Sequence, residues 1–151
     1  MCNGGMATEL AILYVLDVGY GQVPIDFTNN YRASWLGIGI LGALSCANGD
    51  TWASELGTVV GSTSPRLITT FRKVPTGTNG GVTLPGLIFS FLGGLVVGIG
   101  YYLALVLTVD PVILVNSPPQ WLVIVVGGVG GLLGSLIDSF LGATLQFSGN
   151  L

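Results

Sequence analysis

The sequence predicts an all-α fold, a polytopic bundle of about four membrane-spanning helices, on three observations. Only 7% of its 151 residues are charged, against about 25% in a typical soluble domain. A core of this size could not be clothed in water with so few charges, whereas lipid removes the need. Half of the residues are hydrophobic and they fall in long runs, one of which (84–109) carries no charge at all. Glycine is abundant within those runs, 25 residues in all, as suits helices whose backbones approach closely in a membrane.

The same composition excludes several classes. With four basic residues and a net charge of −3, the chain lacks the basic stripe that nucleic-acid binding requires. It has no histidine, and Cys2 and Cys46 have no partners at metal-ligand spacing, so neither a disulfide framework nor a zinc site is expected. No basic segment with a cleavage site follows Met1, so no signal peptide is expected.

The chain reads as one integral membrane domain over residues 1–151. A first apolar run, 6–16, is short against the roughly 20 residues that cross the hydrocarbon core, and reaches span length only when extended to 3–19. A polar loop with Pro24, Asp26, Asn29 and Asn30 separates it from the second span, 33–60, which holds Asp50 and Glu55 toward its end. The longest polar segment, 61–83, carries Arg66, Arg72 and Lys73 and then Thr76-Gly77-Thr78-Asn79-Gly80-Gly81. The third span, 84–109, contains Gly94-x-x-x-Gly98. A loop over 110–119 with three prolines precedes the fourth span, 120–146, which begins beside Trp121, contains Gly127-x-x-x-Gly131 and holds one charge, Asp138.

Three of the four basic residues lie in 61–83, which puts that loop on the cytoplasmic side or its equivalent. Given this topology, Asp50, Glu55 and Asp138 lie toward that side, and Glu9 of the first span joins them. Asp50, Ala53, Ser54 and Gly57 share one helix face, small and polar as a cavity wall would be. Glu55 lies five residues on and points roughly 140° away. On the fourth span Gly134, Asp138 and Gly142 share a face, with Ser135 and Ser139 beside it.

Carboxylates with water and phosphate oxygens are the natural ligands of Mg²⁺, cations match phosphate charge, and Gly-rich backbone can wrap phosphate with N–H groups. Asp50 and Asp138 as catalytic and metal-binding carboxylates, Glu55 as a further metal ligand, and Arg66, Arg72, Lys73, Gly77, Thr78, Asn79, Gly80 and Gly81 as phosphate or nucleotide ligands would together form a phosphoryl-transfer site at a lipid surface. The loop is not a Walker loop, since it lacks the Gly-Lys-Ser/Thr ending. Read blandly, it is a turn, the cations are topology anchors and the carboxylates are interfacial.

Several longer motifs bear a family likeness. Asn48-Gly49-Asp50-Thr51-Trp52-Ala53-Ser54-Glu55-Leu56-Gly57, Ser64-Pro65-Arg66-Leu67-Ile68-Thr69, Val74-Pro75-x-Gly77-Thr78-Asn79-Gly80-Gly81-Val82-Thr83 and Gly134-Ser135-Leu136-x-Asp138-Ser139 resemble signatures of the transmembrane protein 19 family. That family includes the plant phytyl-phosphate kinase and is distantly similar to dolichol-kinase-type enzymes. The resemblance implies an isoprenoid-phosphate kinase using Mg²⁺ and a nucleoside triphosphate on a prenyl lipid. It also implies members longer at both ends, so that a site drawing on those segments would be incomplete here.

Two other classes stay open on the residues alone. Intramembrane carboxylates with small-residue helices also suit an ion or proton pathway. The Gly-x-x-x-Gly faces also suit a non-catalytic membrane protein or a helix-mediated oligomer.

Overall fold

The computed structural model describes residues 2–60 and 64–146, leaving out the side chains of Cys2 and Asn3. Gly61, where the long loop is expected to open, lies outside the described residues. The elements are α1 (Cys2–Val18), α2 (Tyr31–Val60), β1 (Arg66–Leu67), β2 (Gly81–Val82), α3 (Leu84–Thr108), α4 (Pro111–Val115) and α5 (Leu122–Leu145). Helices α2, α3 and α5 pack against one another as the core, and α1 packs on α2. Helices α3 and α5 are long and apolar enough to cross a membrane. At 30 residues α2 is about 45 Å long, more than the ~30 Å hydrocarbon thickness.

Burial is inverted relative to a soluble core. The buried positions of α3 and α5 are mostly glycine and serine, among them Gly93, Gly94, Gly98, Gly127, Gly131, Ser90 and Ser135. Large apolar side chains such as Val96, Ile99, Leu103, Val129 and Ile137 face outward. Such an exterior would be insoluble in water and is matched to lipid, while the small interior lets dispersion between backbones hold the helices.

The two Gly-x-x-x-Gly motifs face each other. A Cβ at Gly127 would lie 2.6 Å from the Gly94 carbonyl oxygen and 2.9 Å from Gly98 Cα. Both motifs are thus occupied within the chain by the α3–α5 crossing. On the α2 side a Cβ at Gly49 would sit 2.7 Å from Gly131 Cα and 2.8 Å from the Ser90 carbonyl oxygen. The Asn48 side-chain amide donates to the Gly93 carbonyl at 2.9 Å, a polar tie between α2 and α3.

The loops depart from the plain connections expected. Residues 111–115 form the short α4 because Asp110 accepts from the Val112 amide at 2.8 Å and Pro111 occupies the first turn. Within the long polar loop, β1 pairs antiparallel with β2, Arg66 opposite Val82. Helix α2 runs unbroken through Gly49.

At the end opposite the basic loop, Gln120 holds the first loop by accepting from the Ile25 amide (2.8 Å) and donating to the Ile25 carbonyl (3.0 Å). Beside it Asp26, 6% exposed, accepts from the Asn29 side chain at 2.7 Å and from the Thr28 and Asn29 amides at 2.9 and 3.1 Å. These donors, the Asn29 side chain first, hold the Asp26 carboxyl below its ordinary 3.8. Burial opposes them and is the smallest of the influences on this carboxyl. A depressed folded pKa gives stability that is full above 3.8 and is lost as pH falls through the lower, folded value. Thermal unfolding in detergent is therefore expected to show a smaller loss on acidification below pH 3.8 in Asp26→Asn than in the unsubstituted chain.

Candidate functional site

At the opposite end, where α2 and α5 finish and α3 begins, the structure encloses a cavity of about 390 Å³. Its first wall is the α2 face of Asp50, Ala53, Ser54 and Gly57, the set that helical spacing puts together. Its second is the α5 face of Ser135, Asp138, Ser139 and Gly142. Asp50 faces Ser135 and Asp138 across the space between the two helices. Gly134 is not in the wall but packs against Cys46.

The roof is the segment from Thr76 to Val82, which includes Gly77, Thr78, Asn79, Gly80 and Gly81. Its turns are built locally: the Thr78 hydroxyl donates to the Pro75 carbonyl at 2.8 Å and the Gly81 amide to the Thr78 carbonyl at 3.0 Å. Gly77 and Gly80 adopt φ of +87° and +78°. Among the described residues the amides of Gly77 and Asn79 donate no hydrogen bond, as expected of backbone available to an anion.

Gly80 closes the roof onto α5. A Cβ there would fall 2.8 Å from the backbone of Ala143, on top of the strain of a left-handed conformation. Gly80→Ala is therefore expected to lift the roof from α5. In hydrogen exchange, the roof amides of Thr78 and Gly81, which donate to the Pro75 and Thr78 carbonyls, should lose protection while those of α3 and α5 keep theirs. Unchanged roof protection would contradict this contact.

The third wall is one that sequence reasoning missed. Thr83, Gly86 and Leu87 line the cavity, so the N-terminus of α3 opens into it and lends its partial positive charge. The signal was present: Thr83 caps the helix by accepting from the Gly86 amide at 3.1 Å, and Pro85 stands in the first turn.

Other expected site residues lie elsewhere. Glu55 does not line the cavity and is exposed, in keeping with its 140° offset from Asp50. Arg66, Arg72 and Lys73 are exposed on the loop and do not line it either, although Arg66 lies on β1 opposite the roof residue Val82. Glu9 is exposed on α1. Among the described residues no group of three or more carboxylate, cysteine or histidine side chains could cage a metal ion. Asp50 and Asp138 alone fit Mg²⁺, which is usually bound through one or two carboxylates plus substrate phosphates and water.

The model of an integral membrane protein family, DUF92, matches residues 1–150. The chain belongs to this family. DUF92 membership and the inverted burial together make it a multi-pass integral membrane protein. It is similar to Protein PGR of Arabidopsis thaliana, 43% identical over 149 residues, covering 99% of this chain and 51% of that protein. It is also similar to an uncharacterized membrane protein of Methanocaldococcus jannaschii, 32% identical over 133 residues, 87% of this chain and 50% of that one. A third similar protein is an uncharacterized membrane protein of Synechocystis, 29% identical over 137 residues, 90% of this chain and 45% of that one. The chain thus spans about half the length of these relatives. No solved structure matches it.

Proposed function

We propose that this chain carries the phosphoryl-transfer site of an isoprenoid-lipid kinase, working with Mg²⁺ and a nucleoside triphosphate at the cytoplasmic face. The observation that carries the reading is the meeting of Asp50 and Asp138 beneath the Gly77–Gly81 roof. The substrate's prenyl tail would lie along the lipid-facing helices, with its phosphate in the cavity. Mg²⁺, held by Asp50 and Asp138, would neutralise charge on the transferring phosphoryl group. The amides of Gly77 and Asn79 and the α3 N-terminus would hold the phosphates in line. An ionised oxygen of the lipid phosphate attacks the γ-phosphorus, the β–γ bridge breaks, and a nucleoside diphosphate leaves.

One structural point favours this over an ion pathway. Directly beneath Asp50, the contact of Gly49 with Gly131 and Ser90 is backbone against backbone, so the cavity ends there. The test is nucleotide-dependent phosphorylation of prenyl alcohols and monophosphates, with and without Mg²⁺, by the purified chain and by a full-length relative. Mg²⁺-dependent product is expected from the full-length protein. No product from it, with substrate-dependent flux in proteoliposomes, would replace the kinase by a transporter.

A further inference from the structure

We propose that the ribbon of residues 65–74 is a docking site for anionic phospholipid headgroups of the bilayer that holds the bundle. This rests on charge and geometry outside the cavity and is independent of the phosphoryl-transfer reading.

Arg66, Arg72 and Lys73 are three of the four cations in the chain, and no acidic residue lies between Glu55 and Asp110. Among the described residues the ion pair present is Arg32–Asp17 (2.9 Å), at the other end. Arg66 and Lys73 are directly opposite in an antiparallel bridge. Like charges so placed repel, and an anion against that face turns the repulsion into shared attraction.

Phe71 adds the apolar element. It is 68% exposed and adopts φ +55°, an uncommon conformation for a bulky residue. The turn is held by its amide donating to the Leu67 carbonyl (2.8 Å) and by the Leu67 amide donating to the Arg72 carbonyl (2.9 Å). An outward aromatic ring next to two cations, on a ribbon between the end of α2 and the start of α3, has the makeup of an interfacial anchor. The Ile68 amide donates to the Gly80 carbonyl at 3.0 Å, so a headgroup bound at the ribbon would brace the cavity roof.

Lys73 is the sole lysine, so its acylation by an amine-reactive reagent reads this site in the unsubstituted chain. The chain is compared in nanodiscs of phosphatidylcholine with and without phosphatidylglycerol. Acylation at Lys73 is expected to be about five-fold slower with phosphatidylglycerol, the factor for roughly 1 kcal/mol per cation near an anionic surface. Arg66→Gln with Phe71→Ser should remove that protection, both positions being exposed and outside the helices. Protection that survives both substitutions is surface potential alone and overturns the proposal. Equal rates in the two discs overturn it too. Protection by inorganic phosphate in phosphatidylcholine discs, without any from phosphatidylglycerol, would assign the cations to a soluble anion instead.

Discussion

Asp50→Asn is expected to lower Mg²⁺-dependent phosphoryl transfer by about 10²–10³-fold, the scale seen when one group stabilising transition-state charge is removed. The substitution keeps the side chain's size and removes the charge that would hold the ion. Asp138→Asn should match it, because the two carboxylates face one cavity from different helices. Glu55→Gln, outside the cavity, should leave the rate unchanged. The assay is best run on a full-length relative at the matching positions, with thermal unfolding confirming that each variant folds. A rate retained in Asp50→Asn would remove this carboxylate from the chemistry. A rate lost in Glu55→Gln would show that the site is built differently.

Gly94→Val is expected to be the most destabilising single change in the helices. A Cβ at Gly94 would overlap the Gly127 carbonyl oxygen and lie 3.0 Å from Gly131 Cα. Backbone cannot rotate aside as a flexible side chain can. Overpacking of this kind typically costs about 1–3 kcal/mol and occasionally more, and for a chain of this size each kcal/mol moves the unfolding midpoint by roughly 2–4 °C. The matched control is Gly100→Ala on the same helix, where an added Cβ meets nothing within 4 Å. Helix propensity alone should then stabilise by up to about 1 kcal/mol. Equal midpoints for the two variants in detergent would show that the crossing is looser than the structure has it.

The contrast between those glycines marks what the sequence could tell. Apolar runs located the four long helices to within a few residues, and helical periodicity grouped Asp50, Ala53, Ser54 and Gly57 correctly on one wall. Polarity alone gave no access to the ribbon, since its pairing depends on contacts such as Ile68 with Gly80 that no local pattern encodes. For the same reason Arg66, Arg72 and Lys73 look like phosphate ligands by proximity in sequence, yet do not line the cavity. The motifs Gly94-x-x-x-Gly98 and Gly127-x-x-x-Gly131 were legible as packing faces, but nothing in either says which surface it meets. The α3 N-terminus is legible in Thr83 and Pro85, a capping residue and a first-turn proline, but no charge marks it as part of a site.

The meeting of glycines along α2, α3 and α5 also sets alignment. Sliding or turning one of these helices by a single residue would bring Leu95, Val126 or Leu132 to a point that admits only main chain. The helices can therefore find their relative height in the bilayer by volume alone. The wall residues Asp50 and Asp138 then arrive level with each other as a by-product of how the glycines are spaced, with no polar contact needed to bring them there.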